Sequence, residues 1–371
     1  MSVIVAIAIA IAIVWLPFPE FASQTKEPSG DLFHPLAPAY VGDAACAQCH
    51  ARQSELHHAS GHSRTLYATG LCETLSRLLD HDFTDPYRKG VFRYECADGA
   101  VIATYRDTVG NETRLPVQFA VGSGTHAQSF LTLVPDDTDV PKAVEHRVTL
   151  FAGETGIGLT PSHKDEPIQE PIECLGRIKH GDQIRRCIEC HSTTSDVVGT
   201  QVSNLRANIN CERCHGPGRR HLQAVETGNS DLAILFGPGR SSALEEVQLC
   251  GQCHRVPDSI NRLPDPDDPL LARFQPIGIM QSACFRKSEV SLRCSTCHNP
   301  HATLDHDTSY ANQQCLKCHT SSEEVTRLTC KVVSKANCVD CHMPKVALPP
   351  GISFRDHWIR PRKDSGISNA P

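Results

Sequence analysis

The longest apolar run of the chain lies at its start. Val3–Leu16 contains no polar residue and is followed by Pro17. A membrane-spanning helix needs about 20 apolar residues, and a signal-peptide core is shorter, as this run is. We therefore expect residues 1–23 to be a signal peptide or an N-terminal anchor, and the length alone leaves both alternatives open.

A second pattern predicts β-structure in the middle of the chain. Val91–Glu95 and Val101–Tyr105 are rich in β-branched and aromatic residues, as strands are. The Asp98-Gly99 pair between them is a hairpin signal. Two further runs continue the predicted sheet, Leu115–Val121 and Ser129–Val134. We expect residues 90–160 to form a small antiparallel β-insert.

The rest of the chain is dominated by the pattern Cys-x-x-Cys-His, which occurs seven times. One copy stands alone near the N-terminus, and six follow one another later in the chain. The cysteines are Cys46, Cys49, Cys187, Cys190, Cys211, Cys214, Cys250, Cys253, Cys294, Cys297, Cys315, Cys318, Cys338 and Cys341. The histidines that end the copies are His50, His191, His215, His254, His298, His319 and His342.

This pattern is the attachment site of a c-type haem. Its two thiols bond covalently to one porphyrin, and the histidine that follows is the proximal ligand of the iron. Zinc is the main alternative, because paired Cys-x-x-Cys units also build zinc ribbons. A ribbon takes its four ligands from two such units, however, and has no use for a histidine after every pair. The motifs therefore predict seven covalent haem c groups, each with its iron.

Seven haems in 371 residues also change the expected fold. Each porphyrin is a large apolar plate that replaces part of the side-chain core, which fits an aromatic content of only 5%. We predict a multihaem cytochrome c architecture that is mainly α, with much irregular loop structure around stacked haems plus the small β-insert. The other segments expected are a linker at 24–39, the first haem segment at 40–89, a six-haem ladder at 161–360 and a tail at 361–371.

The second axial ligands are expected to be histidines. The chain has 20 histidines but only 3 methionines. Met1 is the initiator and Met343 directly follows a proximal histidine, so only Met280 could supply a thioether. Methionine ligation raises the potential of a haem, and its near absence favours bis-histidine, low-potential iron.

The sequences around the motifs resemble those of known multihaem cytochromes. The stretch YVGDAACAQCH followed by Ser-Gly-His is similar to the tetrahaem cytochromes c of ammonia oxidisers, and this resemblance implies His62 as a distal ligand. The stretches CHGPGRRH, CSTCHNPH and NCVDCHMPK resemble the doubled-motif cytochromes and imply His221 and His301. The stretch FRDHWIR looks like the tail motif that closes such proteins and implies His357.

Two further histidines are candidate ligands. His126 follows a Gly-Ser-Gly-Thr turn that is similar to the β-insert of multihaem cytochromes with paired motifs, although a surface loop position is the alternative. His163 precedes the second motif in a loop that could lie over a neighbouring haem. Three histidines are expected to bind no iron: His34, His81 and His306.

Two functions follow from these features. The first is electron transfer along closely packed haems, with cytochromes, quinol-linked complexes or a terminal reductase as partners. The alternative is a multihaem reductase or oxidase of a small nitrogen or sulfur compound, which needs one five-coordinate haem. The isolated haem at His50 is the candidate for that role. Whether the protein is an enzyme stays open, with the carrier preferred.

The net charge of the chain and its expected cellular compartment limit the kinds of partner. The net charge is −6, and no basic run resembles a nucleic-acid-binding arm. Haem attachment to this motif takes place outside the cytoplasm. We therefore expect an exported protein, in the periplasm or at the outer face of the cytoplasmic membrane, with membrane anchoring through residues 3–16 as an option. Cysteines outside the motifs could form disulfides there, with one left over: Cys72, Cys96, Cys174, Cys284 and Cys330.

Overall fold

The computed structural model describes most of the chain from residue 39 onwards. The described residues are 39–153, 156–161, 163, 167–229, 234, 236–237, 240–256, 268–288, 291–319, 338–348 and 352–361. The expected signal peptide or anchor at 1–23 lies outside them, as do nearly all of the expected linker and tail. Within these ranges there is no helix with the length and apolar character needed to cross a membrane.

The described helices are short. They are α1 Asp43–Ala47, α2 Ala51–Ala59, α3 Leu71–Thr74, α4 Asp182–Glu189, α5 Cys211–His215, α6 Arg219–Glu226, α7 Ala243–His254, α8 Gln275–Gln281, α9 Ala283–Lys287, α10 Cys294–Cys297, α11 Ser309–His319 and α12 Cys338–His342. Three 3₁₀ turns accompany them, His62–Arg64, Pro171–Cys174 and Pro269–Arg273. Most helices of the second half carry or adjoin a haem motif.

Fifteen strands lie between and after the helices in the described residues. They are β1 Leu66–Tyr67, β2 Asp82–Thr84, β3 Val91–Ala97, β4 Ala100–Arg106, β5 Glu112–Pro116, β6 Phe119–Val121, β7 Ala127–Val134, β8 Lys142–His146, β9 Val148–Phe151, β10 Ile157–Leu159, β11 Gly176–His180, β12 Ser192–Val198, β13 Gln201–Ala207, β14 Lys345–Leu348 and β15 Ile352–Arg355.

The smaller of the two main sheets contains the predicted hairpin. Its order is β2-β3-β4-β5, antiparallel throughout. Asp98 and Gly99 at the turn have φ values of 51° and 80°, the left-handed conformation that a tight two-residue hairpin turn requires. Alternate residues are buried, which brings the ring of Phe92 within 4.8 Å of the ring of Tyr105. A disulfide between Cys72 and Cys96 ties α3 to β3.

The larger sheet supports the second haem motif. It runs β1-β6-β7-β8-β11, with β9 pairing both β7 and β10. One face of this sheet packs against α4, whose Ile184 and Ile188 are fully buried in a cluster with Leu66, Phe119 and Leu131. The thiol-bearing residue Cys187 packs at the edge of the same cluster. The sheet therefore forms the wall on which the second motif lies.

The prediction of a mainly α fold is wrong. Helices and strands contribute comparable parts of the described chain, and the strands form several antiparallel sheets. Two hairpins lie where a helical ladder was expected: β12 and β13 follow the second motif directly, and β14 and β15 follow the last. The segment Ser192–Val198 begins directly after His191, and four of its seven residues are Thr or Val, which favour strands. The motif itself dictates only about one turn of helix.

Two buried polar interactions stabilise the core between the sheets. Arg147 and Asp85 form an ion pair at 2.5 Å, and both side chains are almost completely inaccessible. His146, also fully buried, is hydrogen-bonded through its Nε2 atom to the hydroxyl of Thr132 at 2.9 Å. Burial lowers the pKa of His146 to about 3, and the neighbouring His163 acts in the same direction.

The lowered pKa of His146 predicts that the folded protein loses stability in acid. The ring is protonated below pH 6.5 in the unfolded chain but stays neutral to about pH 3 in the folded protein. Between these values the unfolded state binds one more proton, so folding loses about 1.4 kcal/mol per pH unit as the pH falls. Replacing His146 with Gln should remove this contribution, as measured by urea unfolding between pH 7 and pH 5. Replacing the exposed His81 with Gln is the control, and equal slopes in all three proteins would contradict the prediction.

Candidate haem sites

The described motifs lie on short helices or at their ends. The third and the last coincide with whole helices, α5 and α12, and the fourth ends α7. Residues three apart on a helix lie on the same face, so both thiols of a motif point the same way. The histidine lies four residues after the first cysteine, so on a helix it lies on the same face as the two thiols, as covalent attachment of one porphyrin requires.

Four motif histidines lie opposite histidines from outside the motifs. The ring-centre distances and interplanar angles are 6.3 Å and 25° for His50 and His221, 6.0 Å and 4° for His215 and His301, 6.3 Å and 69° for His254 and His62, and 6.1 Å and 31° for His298 and His357. The distances are nearly equal although the partners come from four different parts of the chain.

The spacing fits one metal ion between the rings of each pair. An imidazole nitrogen bonds a transition metal at about 2.0–2.1 Å, and the ring centre lies ~1.1 Å beyond that nitrogen. Two imidazoles on opposite sides of one metal therefore have ring centres ~6.3 Å apart. The residues of the four pairs thus satisfy the distance requirement for bis-histidine haem iron.

The protonation states fit as well. Burial lowers the pKa of His62, His254, His298 and His301 below the ordinary histidine value. Burial also lowers the pKa of His357, to about 4. These rings are therefore neutral at physiological pH, and the neutral imidazole is the form that binds a metal.

Backbone carbonyls fix the orientation of several rings. Three Nδ1 atoms donate to carbonyl oxygens: His191 to Thr65 at 3.1 Å, His215 to Phe236 at 2.6 Å and His357 to Arg355 at 2.9 Å. A carbonyl can only accept, so the hydrogen is on Nδ1 and Nε2 is left with its lone pair. Metal-binding histidines are commonly held in this way.

Thiols from different motifs are neighbours in space. Three pairs of thiols lie close enough to shift each other's pKa: Cys46 with Cys211, Cys190 with Cys253 and Cys250 with Cys294. Burial raises the pKa of Cys214 to about 11, and the nearby thiol of Cys250 acts in the same direction. The first motif thus lies beside the third, and the fourth lies beside the second, third and fifth. The spatial order of the motifs differs from their order in the chain.

A buried carboxylate joins the first motif to the third. Glu212, inside the third motif, accepts hydrogen bonds from the backbone N–H groups of Val41 at 2.8 Å and Gly42 at 2.9 Å. In return Asp43 of α1 accepts from the N–H of Cys211 at 3.1 Å. Sequence analysis did not single out Glu212, although a glutamate between two haem cysteines was visible there.

The two remaining predicted ligands are placed differently. His126 is exposed, with its ring 5.4 Å from that of Phe354. His163 is buried, and its Nε2 atom lies 3.0 Å from a carboxylate oxygen of Glu145, which also pairs with Lys179 at 3.2 Å. Burial alone would raise the pKa of Glu145, but these two partners lower it to about 2. Iron ligation by His126 and His163 stays a prediction.

The other motif histidines and the expected non-ligands are placed as follows. His191 follows α4, His342 is half-buried at the end of α12, and His319 is exposed at the end of α11. His81 and His306 are exposed, whereas His34 lies outside the described residues.

Of the cysteines outside the motifs, Cys72 and Cys96 pair with each other, Cys174 is a buried free thiol and Cys284 a half-buried one. Cys330 lies outside the described residues.

These features together define a c-type cytochrome with several haems, and comparisons with known proteins agree. The family model "Cytochrome c554 and c-prime" matches residues 160–216. The chain is 25% identical to the dissimilatory sulfite reductase MccA of Wolinella succinogenes over 168 residues, which are 42% of this chain and 21% of the relative. It is 23% identical to the multiheme cytochrome MtrA of Shewanella baltica over 176 residues, 36% of this chain and 51% of the relative.

A solved structure is also similar, that of the outer cell wall cytochrome OcwA. The TM-score is 0.46 at 15% identity, covering 87% of this chain and 80% of that chain. The match to MccA spans about a fifth of that protein's length, and the match to MtrA about half. This protein is a multihaem c-type cytochrome, as the resemblance predicted.

Proposed function

We propose that this protein is an exported electron carrier in which seven covalent haems, most of them bis-histidine, form a continuous chain. The observation that carries the proposal is the set of four histidine pairs with ring centres 6.0 to 6.3 Å apart. An iron with two imidazole ligands has no open position, which suits electron transfer rather than substrate binding.

The distal ligands follow from these pairs. His221 serves the motif of His50, His301 that of His215, His62 that of His254 and His357 that of His298. The one-electron chemistry is supplied by the haem irons. Burial keeps His62, His254, His298, His301 and His357 neutral by lowering the pKa of each ring. Backbone carbonyls orient the rings of His215 and His357.

The thiol contacts suggest the route of the electrons. Electrons would pass from the haem of the first motif to that of the third, then to the fourth and then to the fifth. The haem of the second motif would exchange electrons with that of the fourth. Cys315 lies within electrostatic range of both Cys297 and Cys338, which continues the route to the sixth and seventh motifs. The first and seventh motifs are then the two ends, and the second is a branch.

Two features support export to the periplasm or the outer face of the cytoplasmic membrane. The apolar run Val3–Leu16 suits a signal peptide or anchor. The Cys72–Cys96 disulfide suits an oxidising compartment. The partners proposed are cytochromes, quinol-linked complexes or a terminal reductase in that compartment.

The haem number is tested by the mass of the denatured protein. We expect seven haem masses above that of the polypeptide, and six after Cys187 and Cys190 are both replaced by Ser. Replacing the buried Cys174 with Ser is the control and should leave seven. A parent protein without covalent haem would overturn the proposal.

One observation favours a second function, reduction of a small sulfur or nitrogen oxyanion. Sequence analysis placed an open haem at His50, but the ring of His221 lies opposite that histidine. Within the described part of the chain, the four pairs include neither His191 nor His342, so the haems of these two motifs are better candidates. One relative is a dissimilatory sulfite reductase. A high-spin signal that shifts on addition of sulfite or nitrite would support this function, and a fully low-spin spectrum would leave only the carrier.

A further inference from the structure

The segment that carries His357 lies in close contact with α8, a helix without a haem motif. A Cβ atom added at Gly278 would lie 2.6 Å from the backbone nitrogen of Trp358 and 2.7 Å from the carbonyl carbon of His357. Both distances are shorter than a carbon atom tolerates against backbone. Glycine within a helix is less favourable than alanine, so its presence here reflects the close approach of the two backbones.

One turn further along, Ser282 holds the same segment through hydrogen bonds. Its side chain is fully buried. The hydroxyl oxygen accepts from the N–H of Ile359 at 2.8 Å and lies 3.1 Å from the carbonyl oxygen of His357 and 3.0 Å from that of Gly278. The hydroxyl thus contacts the backbone on both sides of Trp358.

The ring of His357 has little freedom once its backbone is fixed. Its Nδ1 atom donates to the carbonyl of Arg355 at 2.9 Å, and the N–H of Trp358 donates to the carboxylate of Asp356 at 2.8 Å. The ring centre then lies 6.1 Å from that of His298. Metal–ligand distances tolerate only about 0.2 Å of error, so a small displacement of this backbone is enough to break a bond to iron.

We infer that Gly278 and Ser282 are positioning residues that keep His357 on the iron of the fifth motif. The inference rests on the proposed function, in which His357 is that iron's distal ligand. Neither residue touches the metal. The absence of a side chain at Gly278 permits the close approach of the segment that carries His357. The hydroxyl of Ser282 fixes the position of that segment along the axis of α8.

The test uses the full haem-loaded protein with Gly278→Ala, Ser282→Ala and His357→Ala. We expect each variant to bind carbon monoxide at one more haem than the parent, with a matching gain of high-spin signal. Added imidazole should restore the low-spin spectrum in all three, because it replaces the displaced ring. Ser288→Ala is the matched control, since its hydroxyl also bonds a backbone carbonyl, that of Phe285 at 3.1 Å, outside the His357 segment.

Haem content is measured in each variant, so that loss of the fold is distinguished from loss of a ligand. If His357→Ala gains a carbon monoxide site while the Gly278 and Ser282 variants retain the parent spectrum, the positioning role is wrong and the proposed ligation stands. If His357→Ala itself retains the parent spectrum, the ligation is wrong and the positioning role falls with it.

Discussion

Replacing His62 with Ala is expected to interrupt electron transfer at the centre of the protein. The ring of His62 lies opposite His254 of the fourth motif, whose thiols adjoin those of the second, third and fifth motifs. In the proposed route every electron that crosses the protein passes this haem. Loss of the imidazole would leave its iron five-coordinate and high-spin.

The expected result has a spectroscopic and a kinetic part. One more haem than in the parent should bind carbon monoxide, and the midpoint potential of that haem should rise with the loss of a donor ligand. Each 59 mV of increase makes transfer to the next haem about tenfold less favourable for a one-electron couple. Stopped-flow reduction should therefore show electrons retained on part of the haems.

The matched control for this prediction is His58→Ala. His58 lies on α2, four residues before His62, and is exposed; its ring faces that of His57 rather than a motif histidine. This variant should retain the parent spectrum and rates. If carbon monoxide binding and reduction kinetics of the His62 variant equal those of the parent, then His62 is not an axial ligand.

Replacing Glu212 with Ala should give the largest loss of stability. Its side chain is 4% exposed and accepts backbone hydrogen bonds from Val41, Gly42 and Gly218 at 2.8 to 2.9 Å. The substitution would leave three N–H groups without an acceptor, and each unsatisfied buried group costs about 1–3 kcal/mol. Allowing for local relaxation, we expect a loss of about 3–5 kcal/mol.

Limited proteolysis and urea unfolding measure this effect, because the first haem segment should open before the rest. Glu212→Gln should be intermediate, since its amide group retains one acceptor oxygen and loses the other. Glu189→Ala is the control, an exposed glutamate inside the second motif, for which a change within about 0.5 kcal/mol is expected. Equal stability of the Glu212 and Glu189 variants would show that the hydrogen bonds of Glu212 between the first and third motifs contribute little to the free energy of unfolding.

The sequence reveals the haem motifs because all their chemistry lies within five residues. It does not reveal which distal histidine meets which motif. His221 follows the third motif yet lies opposite His50, and His301 follows the fifth yet lies opposite His215. Those pairings depend on contacts such as that of Glu212 with Val41, between residues 171 positions apart. No local pattern encodes such a contact.

The fold was predicted less well for a related reason. The hairpin at Asp98-Gly99 carries its own turn signal and is present as expected. In β9 all four residues are buried, so the alternation that marks a half-buried strand is missing. Similarly, the position of His163 before a haem motif is typical of an axial ligand. Only the folded sheet brings Glu145, which also pairs with Lys179, to the ring of His163.

The contact between Glu212 and Val41 also constrains how the protein is made. The N–H of Val41 and its acceptor are 171 residues apart. Ribosomes add about 5–20 residues per second, so the first motif is synthesised roughly 10–30 s before the carboxylate that anchors it. If the protein is exported as proposed and export keeps pace with synthesis, Cys46 and Cys49 would wait on the far side of the membrane in an unfinished, accessible segment. Haem attachment can take place in that interval, and arrival of the third motif then closes the segment around the attached haem.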